Sequence, residues 1–177
     1  VLSLIFVSAF QAKAITIAED GLAQAVIVID QNDHLPEQHA ASELADFLQQ
    51  VTGYQFELLN EANANQSRFL IGPEAAKLAE PNFSAAGLDA DGIVIRTLGD
   101  DLILAGDYPR GTLYAVYTFL ENEVGCHWWS SDASTIPNKP TLEVDTLDVR
   151  YVPSLYWREL LWYDAFDGDW AVRNKCN

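Results

Sequence analysis

The stretch Arg110-Gly111-Thr112-Leu113-Tyr114-Ala115-Val116-Tyr117-Thr118-Phe119-Leu120-Glu121-Asn122-Glu123-Val124-Gly125-Cys126-His127-Trp128-Trp129 decides how the rest of the chain is read. Tyr114, Tyr117, Phe119, Leu120 and Val124 recur over a wide apolar face at helical spacing, and Gly125 supplies the left-handed residue that commonly ends a helix. A helix over 111–124 therefore runs straight into an aromatic exit, Cys126-His127-Trp128-Trp129. Such a face needs a sheet or another helix to cover it.

The partners lie upstream. Ala25-Val26-Ile27-Val28-Ile29 is a short β-branched run bounded by Asp30-Gln31-Asn32-Asp33, the pattern of a strand buried on both faces. Pro36 suits a first helical turn. Ala40, Ala41, Leu44, Phe47, Leu48 and Val51 then keep three-and-four spacing until Gly53 stops the helix. Residues 56–59 read as a weak strand, 60–67 as a loop, 68–72 as a better strand and 73–78 as a short helix. Residues 92–98 and 101–106 flank Gly99-Asp100, a two-residue hairpin signal that predicts an antiparallel pair. Leu142-Glu143-Val144-Asp145 is expected to return to the sheet edge. The sum is an α+β domain, a mostly antiparallel or mixed sheet with two main helices packed on it.

Composition narrows the function classes. Hydrophobic residues make up 49% of the 177 residues, enough for one domain with a core. The net charge of −16 leaves no clustered Lys and Arg to neutralise phosphates, so nucleic acid is excluded as a partner. The apolar run over 1–10, followed by Gln11-Ala12-Lys13-Ala14, has the form of an export signal and its cleavage site. It is shorter than the roughly 20 residues a membrane span requires. These features predict an exported protein, periplasmic or extracellular, whose first 14 residues are the remainder of a signal peptide.

No phosphate-binding glycine loop, GxSxG or HExxH is present, and His34, His39 and His127 fall in different elements. Cys126 and Cys176 lack the spacing of a zinc site and read as small buried hydrophobes, although an exported chain could pair them. No metal and no cofactor is expected. Asp164-Ala165-Phe166-Asp167-Gly168-Asp169 lacks the ligand alternation of a calcium loop and reads as a loop before a helix, with Asp169 as a candidate N-cap. Asn65-Gln66-Ser67 and Asn82-Phe83-Ser84 match the glycosylation sequon.

From Tyr151 onward the composition changes to Trp and Tyr, including Trp157, Trp162 and Tyr163. Aromatic faces there suit stacking on sugar rings, with Arg158 available to sugar hydroxyls, or packing between domains. Residue types leave both readings open, with packing favoured. The boundary falls near Pro153.

Taken in order, Ala40-Ala41-Ser42-Glu43-Leu44-Ala45-Asp46-Phe47-Leu48 with Thr52-Gly53, Phe69-Leu70-Ile71-Gly72, Asp91-Gly92-Ile93-Val94-Ile95, Leu102-Ile103-Leu104-Ala105-Gly106, Gly111-Thr112-Leu113-Tyr114-Ala115-Val116-Tyr117 and Gly125-Cys126-His127-Trp128-Trp129 resemble a known module. It is the N-terminal domain that precedes the catalytic barrel in family 67 alpha-glucuronidases, with a similar module in family 20 beta-hexosaminidases. The resemblance is strongest to a bacterial group in which this module leads into a barrel of domain-of-unknown-function 4838 type. It implies a noncatalytic accessory domain over 15–150, packed on a (β/α)8 barrel whose truncated start occupies 151–177. Tyr156-Trp157-Arg158-Glu159 would open the first barrel strand and residues 170–177 the first helix. It also implies a carbohydrate substrate, catalytic residues beyond residue 177, and sugar contacts from Arg158, Trp157 and Trp162. Trp128 and Trp129 are assigned to packing. The complete protein is then expected to be a glycoside hydrolase, probed against the alternative of a carbohydrate-binding or purely structural module.

Overall fold

Residues 14–32, 34–60 and 66–177 are described by the structure, a computed structural model. The expected signal segment, apart from Ala14, and the sequon at Asn65 lie outside them. Strands β1 (Ile15–Glu19), β2 (Leu22–Ala23) and β3 (Ala25–Ile29) lead into helix α1 (Leu35–Thr52). Strands β4 (Leu58–Leu59) and β5 (Ser67–Ile71) precede the short helix α2 (Gly72–Ala76), and β6 (Ile93–Leu98) and β7 (Asp101–Gly106) form the hairpin. Helix α3 (Gly111–Phe119) continues as a π-helical turn, Leu120–Val124. The remaining strands are β8 (His127–Trp128), β9 (Ser134–Thr135), β10 (Leu142–Val144) and β11 (Asp148–Tyr151). A 3-10 turn, Tyr163–Phe166, and helix α4 (Gly168–Arg173) follow.

The main sheet has the order β11-β6-β7-β5-β3-β4. It is mixed: β4, β3, β5 and β7 pair in parallel, while β7-β6 and β6-β11 are antiparallel. Side-chain alternation along each strand divides the core in two. Ile27, Ile29, Phe69, Ile71, Ile95, Leu102 and Leu104 face α1 and α3, whereas Val26, Val28, Leu70, Val94 and Ile103 face α2 with Phe83 and Leu88. Layers on both sides explain why every residue of β3 is buried.

Local signals place the helix ends where spacing predicts. Gly53 adopts φ 83° and donates its N–H to Gln49 O at 2.8 Å. Gly125 adopts φ 91° and donates to Leu120 O at 2.9 Å, the five-residue reach of a π turn, while Lys139 Nζ donates to Val124 O at 2.9 Å.

Four expectations change. Residues 142–144 do form a strand, but β10 pairs with β1 in a separate three-stranded sheet, and β11 takes the edge of the main sheet. Its register is fixed by β6 and supported by an ion pair between Arg96 and Asp148 at 2.8 Å. Residues 156–159 form no strand, because among the described residues no strand offers them a hydrogen-bonding ladder. Asp167, not Asp169, is the N-cap of α4, its carboxylate accepting from Trp170 N at 2.8 Å. Trp128 packs edge-on against Phe47 and Tyr117, as expected, but Trp129 is 65% exposed, because the β8–β9 hairpin turns it outward, where it stacks on His127 and donates to Thr135 Oγ1.

Candidate functional site

Three glycines build the site. At Gly106, at the end of β7, a Cβ would lie 2.3 Å from the backbone of Gly111 and 2.4 Å from Gly92 O; at Gly92 it would lie 2.0 Å from Leu88 O. The backbones before β6, after β7 and at the start of α3 therefore meet where no side chain fits. This contact brings the residues beside those glycines, Asp91 and Arg110, face to face. Arg110 Nε donates to Asp91 Oδ1 at 2.6 Å, and Arg110 N donates to Ala90 O at 3.2 Å.

The second carboxylate oxygen reaches into the C-terminal segment. Asp91 Oδ2 accepts from Arg158 Nη2 at 2.8 Å and from Asn177 Nδ2 at 2.7 Å. Arg158 also donates from Nε to Lys175 O and from Nη1 to Leu155 O, and its guanidinium lies 5.8 Å from the Tyr114 ring centre. The Asn177 side chain closes the arrangement, accepting from Arg158 N at 2.7 Å and donating to Tyr156 O at 2.7 Å. Burial pushes the Asp91 carboxyl up, but hydrogen bonds and charge from Arg110 and Arg158 outweigh it and hold the group below the ordinary carboxylate value. Burial raises the Tyr114 hydroxyl, which stays protonated and donates to Cys176 O at 2.8 Å.

Two further acids grip the same segment. Glu43, on α1, accepts two bonds from Arg173, at 3.0 and 3.1 Å, and one from Tyr117 Oη at 2.9 Å. Glu121, in the π turn, pairs with Lys175. In each of the three anchors the acid belongs to the domain and the base to residues 158–175. Trp170 is the apolar plug between them, buried in the main core with its Nε1 donating to Trp128 O at 3.1 Å. Between α3, β11 and this segment lies a cleft of about 470 Å³, with apolar Ile93, Tyr114, Val149 and Pro153 beside Arg158 and Lys175.

Of the three sugar-facing candidates, Arg158 is folded inward, whereas Trp157 and Trp162 are 70% and 62% exposed. Trp162 is nonetheless oriented, its Nε1 donating to Asp164 Oδ2 at 2.6 Å while Asp164 Oδ1 accepts from Ser131 N and Oγ. His34, His39 and His127 remain apart, and among the described residues no group of three or more His, Cys, Asp or Glu is placed to hold a metal ion. Cys126 and Cys176 are unpaired; Cys126 is buried, and burial lifts its thiol to about 11. No described helix is long and apolar enough to cross a membrane.

The sequence pattern missed the Asp91–Arg110 pair. Its signal is a charged residue beside each of two glycines, Asp91-Gly92 and Arg110-Gly111, a spacing with no meaning until the backbones meet.

The architecture is a parallel-rich mixed sheet with helices on both faces, continued by a docked aromatic segment. The model of the glycosyl hydrolase family 67 N-terminus matches residues 11–119, and the chain belongs to that family. It is 26% identical over 130 residues to a probable alpha-glucuronidase A of Aspergillus terreus, covering 72% of this chain and 16% of that protein. Among solved structures, a family GH115 4-O-methyl-alpha-glucuronidase with specificity for decorated arabinogalactans superposes with a TM-score of 0.57 at 18% identity, over 79% of this chain and 19% of the other. A GH20 beta-N-acetylhexosaminidase from Streptomyces coelicolor A3(2) gives 0.53 at 12% identity, over 84% and 25%. These likenesses show a shared fold. The chain spans less than a fifth of the alpha-glucuronidase it matches.

Proposed function

We propose that residues 15–150 are a noncatalytic N-terminal domain that docks and orients the catalytic domain of an exported glycoside hydrolase, and that 151–177 is the first piece of that catalytic domain. The observation that carries this reading is the contrast within the last segment. Trp170 and three ion pairs fasten it to the domain, yet Leu155, Tyr156, Trp157, Leu161, Trp162, Tyr163 and Phe166 are left exposed in succession. So large an apolar display suits a surface that further polypeptide covers. The glucuronidase relatives support a uronic-acid-bearing polysaccharide as substrate, cleaved by a pair of carboxylates outside this chain. Arg158, Trp157 and Trp162 are the residues of this segment assigned to the sugar side.

The test is expression of the complete reading frame beside the 177-residue chain. Only the former should release uronic acid from a glucuronosyl-decorated polysaccharide, and cell fractionation should place it outside the cytoplasm. Hydrolysis by the 177-residue chain alone would refute the division of labour. A second reading, a carbohydrate-binding module, is favoured by the exposure of Trp157 and Trp162. It predicts that the isolated chain binds the same polysaccharide in calorimetry and loses that binding on Trp157→Ala.

A further inference from the structure

Asp91 lies within the family domain, more than sixty residues from Arg158, yet its side chain touches both the glycine junction and the C-terminal segment. Its oxygens are divided between two tasks. Oδ1 is held by Arg110, which the glycine contact fixes in place; Oδ2 is offered to Arg158 and Asn177. A carboxylate held by one arginine at a rigid backbone junction is a preorganised acceptor for the second, because it has little orientational freedom left to lose. Arg158 in turn gathers the backbone around it through Leu155 O and Lys175 O, while Asn177 ties the Arg158 N–H to Tyr156 O. The most direct path from the glycine junction to Trp157 therefore passes through the Asp91 carboxylate, beside the links from Tyr114 to Cys176 O and from Glu121 to Lys175.

We infer that Asp91 is a positioning residue: it sets the place of Arg158, and through it of Trp157, so that the accessory domain supplies part of the geometry of the sugar-facing surface. The sugar-facing part rests on the reading proposed above; the positioning of the segment does not. A carboxylate shared between two arginines fixes orientation as well as attachment, which the apolar contact through Trp170 does not do by itself.

The first arm uses the 177-residue chain. In the Asp91→Asn and Arg158→Gln variants, chymotrypsin cleavage between residues 155 and 162, mapped by mass spectrometry, should accelerate at least roughly tenfold, because a segment that opens more often is cut more often. The thermal transition of the domain should persist in Arg158→Gln, which leaves the Asp91–Arg110 pair intact; this variant keeps the test valid if Asp91→Asn fails to fold. Unchanged cleavage in Arg158→Gln overturns the inference. The second arm uses the complete protein: Asp91→Asn should raise KM for the cognate polysaccharide several-fold with a smaller change in kcat, and Asp91→Glu should recover part of the loss. Segment release with KM unaltered would overturn the sugar-facing part of the inference while leaving the hydrolase reading intact. Absence of any hydrolysis would refute that reading, and the protease arm would still decide whether Asp91 holds the segment.

Discussion

The two ends of this chain are held by opposite physics. Residues 15–144 are fastened by burial: two apolar layers on a mixed sheet, and three glycines whose backbones touch. The segment from residue 151 is fastened by charge, with a single tryptophan in the core and its other aromatics outside. Apolar burial is non-directional and yields a unit that needs no partner, whereas ion pairs and hydrogen bonds fix orientation and leave the remaining surface free. The difference teaches that the sheet and its helices are set chiefly by burial, whereas the last segment, apart from Trp170, is set chiefly by directed bonds.

The strongest way to break that comparison is at the glycine junction. Gly106→Ala sets a methyl 2.3 Å from backbone with no flexible neighbour to yield, so urea unfolding should show a loss of about 3 kcal/mol or more, domain and segment together. Trp170→Ala acts on the segment instead. It removes the plug at a cost of about 3 kcal/mol, and proteolysis should free residues beyond 151 while the domain keeps its own unfolding transition.

Acid sharpens the contrast most gently. The Asp91 pKa is lowered in the folded chain, so its contribution is fully present above the unfolded carboxylate value, near 4, and is lost as pH falls through the lower folded value. Asp164 shifts in the same direction, chiefly through the Ser131 backbone N–H, and also lies in the segment. Tryptophan fluorescence should therefore report loosening of the segment below about pH 4, before the apolar core unfolds. Asp91→Asn should weaken that pH dependence, leaving the part that Asp164 contributes, and a change confined to the global unfolding transition would contradict it.

Much of this was legible in residue order. The β-branched run at 25–29, the helix from Pro36 to Gly53, the Gly99-Asp100 hairpin and the apolar face ending at Gly125 are signals within one element, set by period, turn chemistry and backbone sterics. The edge strand was not legible. Asp148-Val149-Arg150-Tyr151 alternates polar and apolar over only four residues, all of them exposed, too short a signal to rank above 142–144, which pairs elsewhere. The aromatic exit was read correctly at Trp128 and not at Trp129, because alternation along two residues cannot say which side faces the core.

The sequence by itself determined the domain: its composition supplied the core, its periodicities the main strands and helices, and the order of its motifs the family. Tertiary structure alone decided that β3, β5 and β7 lie parallel, that Gly92, Gly106 and Gly111 meet, and that Asp91 is shared between Arg110 and Arg158. Those facts bring together residues up to sixty-seven positions apart. Local physical preference acts over a few residues, whereas the placing of one charge between two others depends on every packed element that separates them.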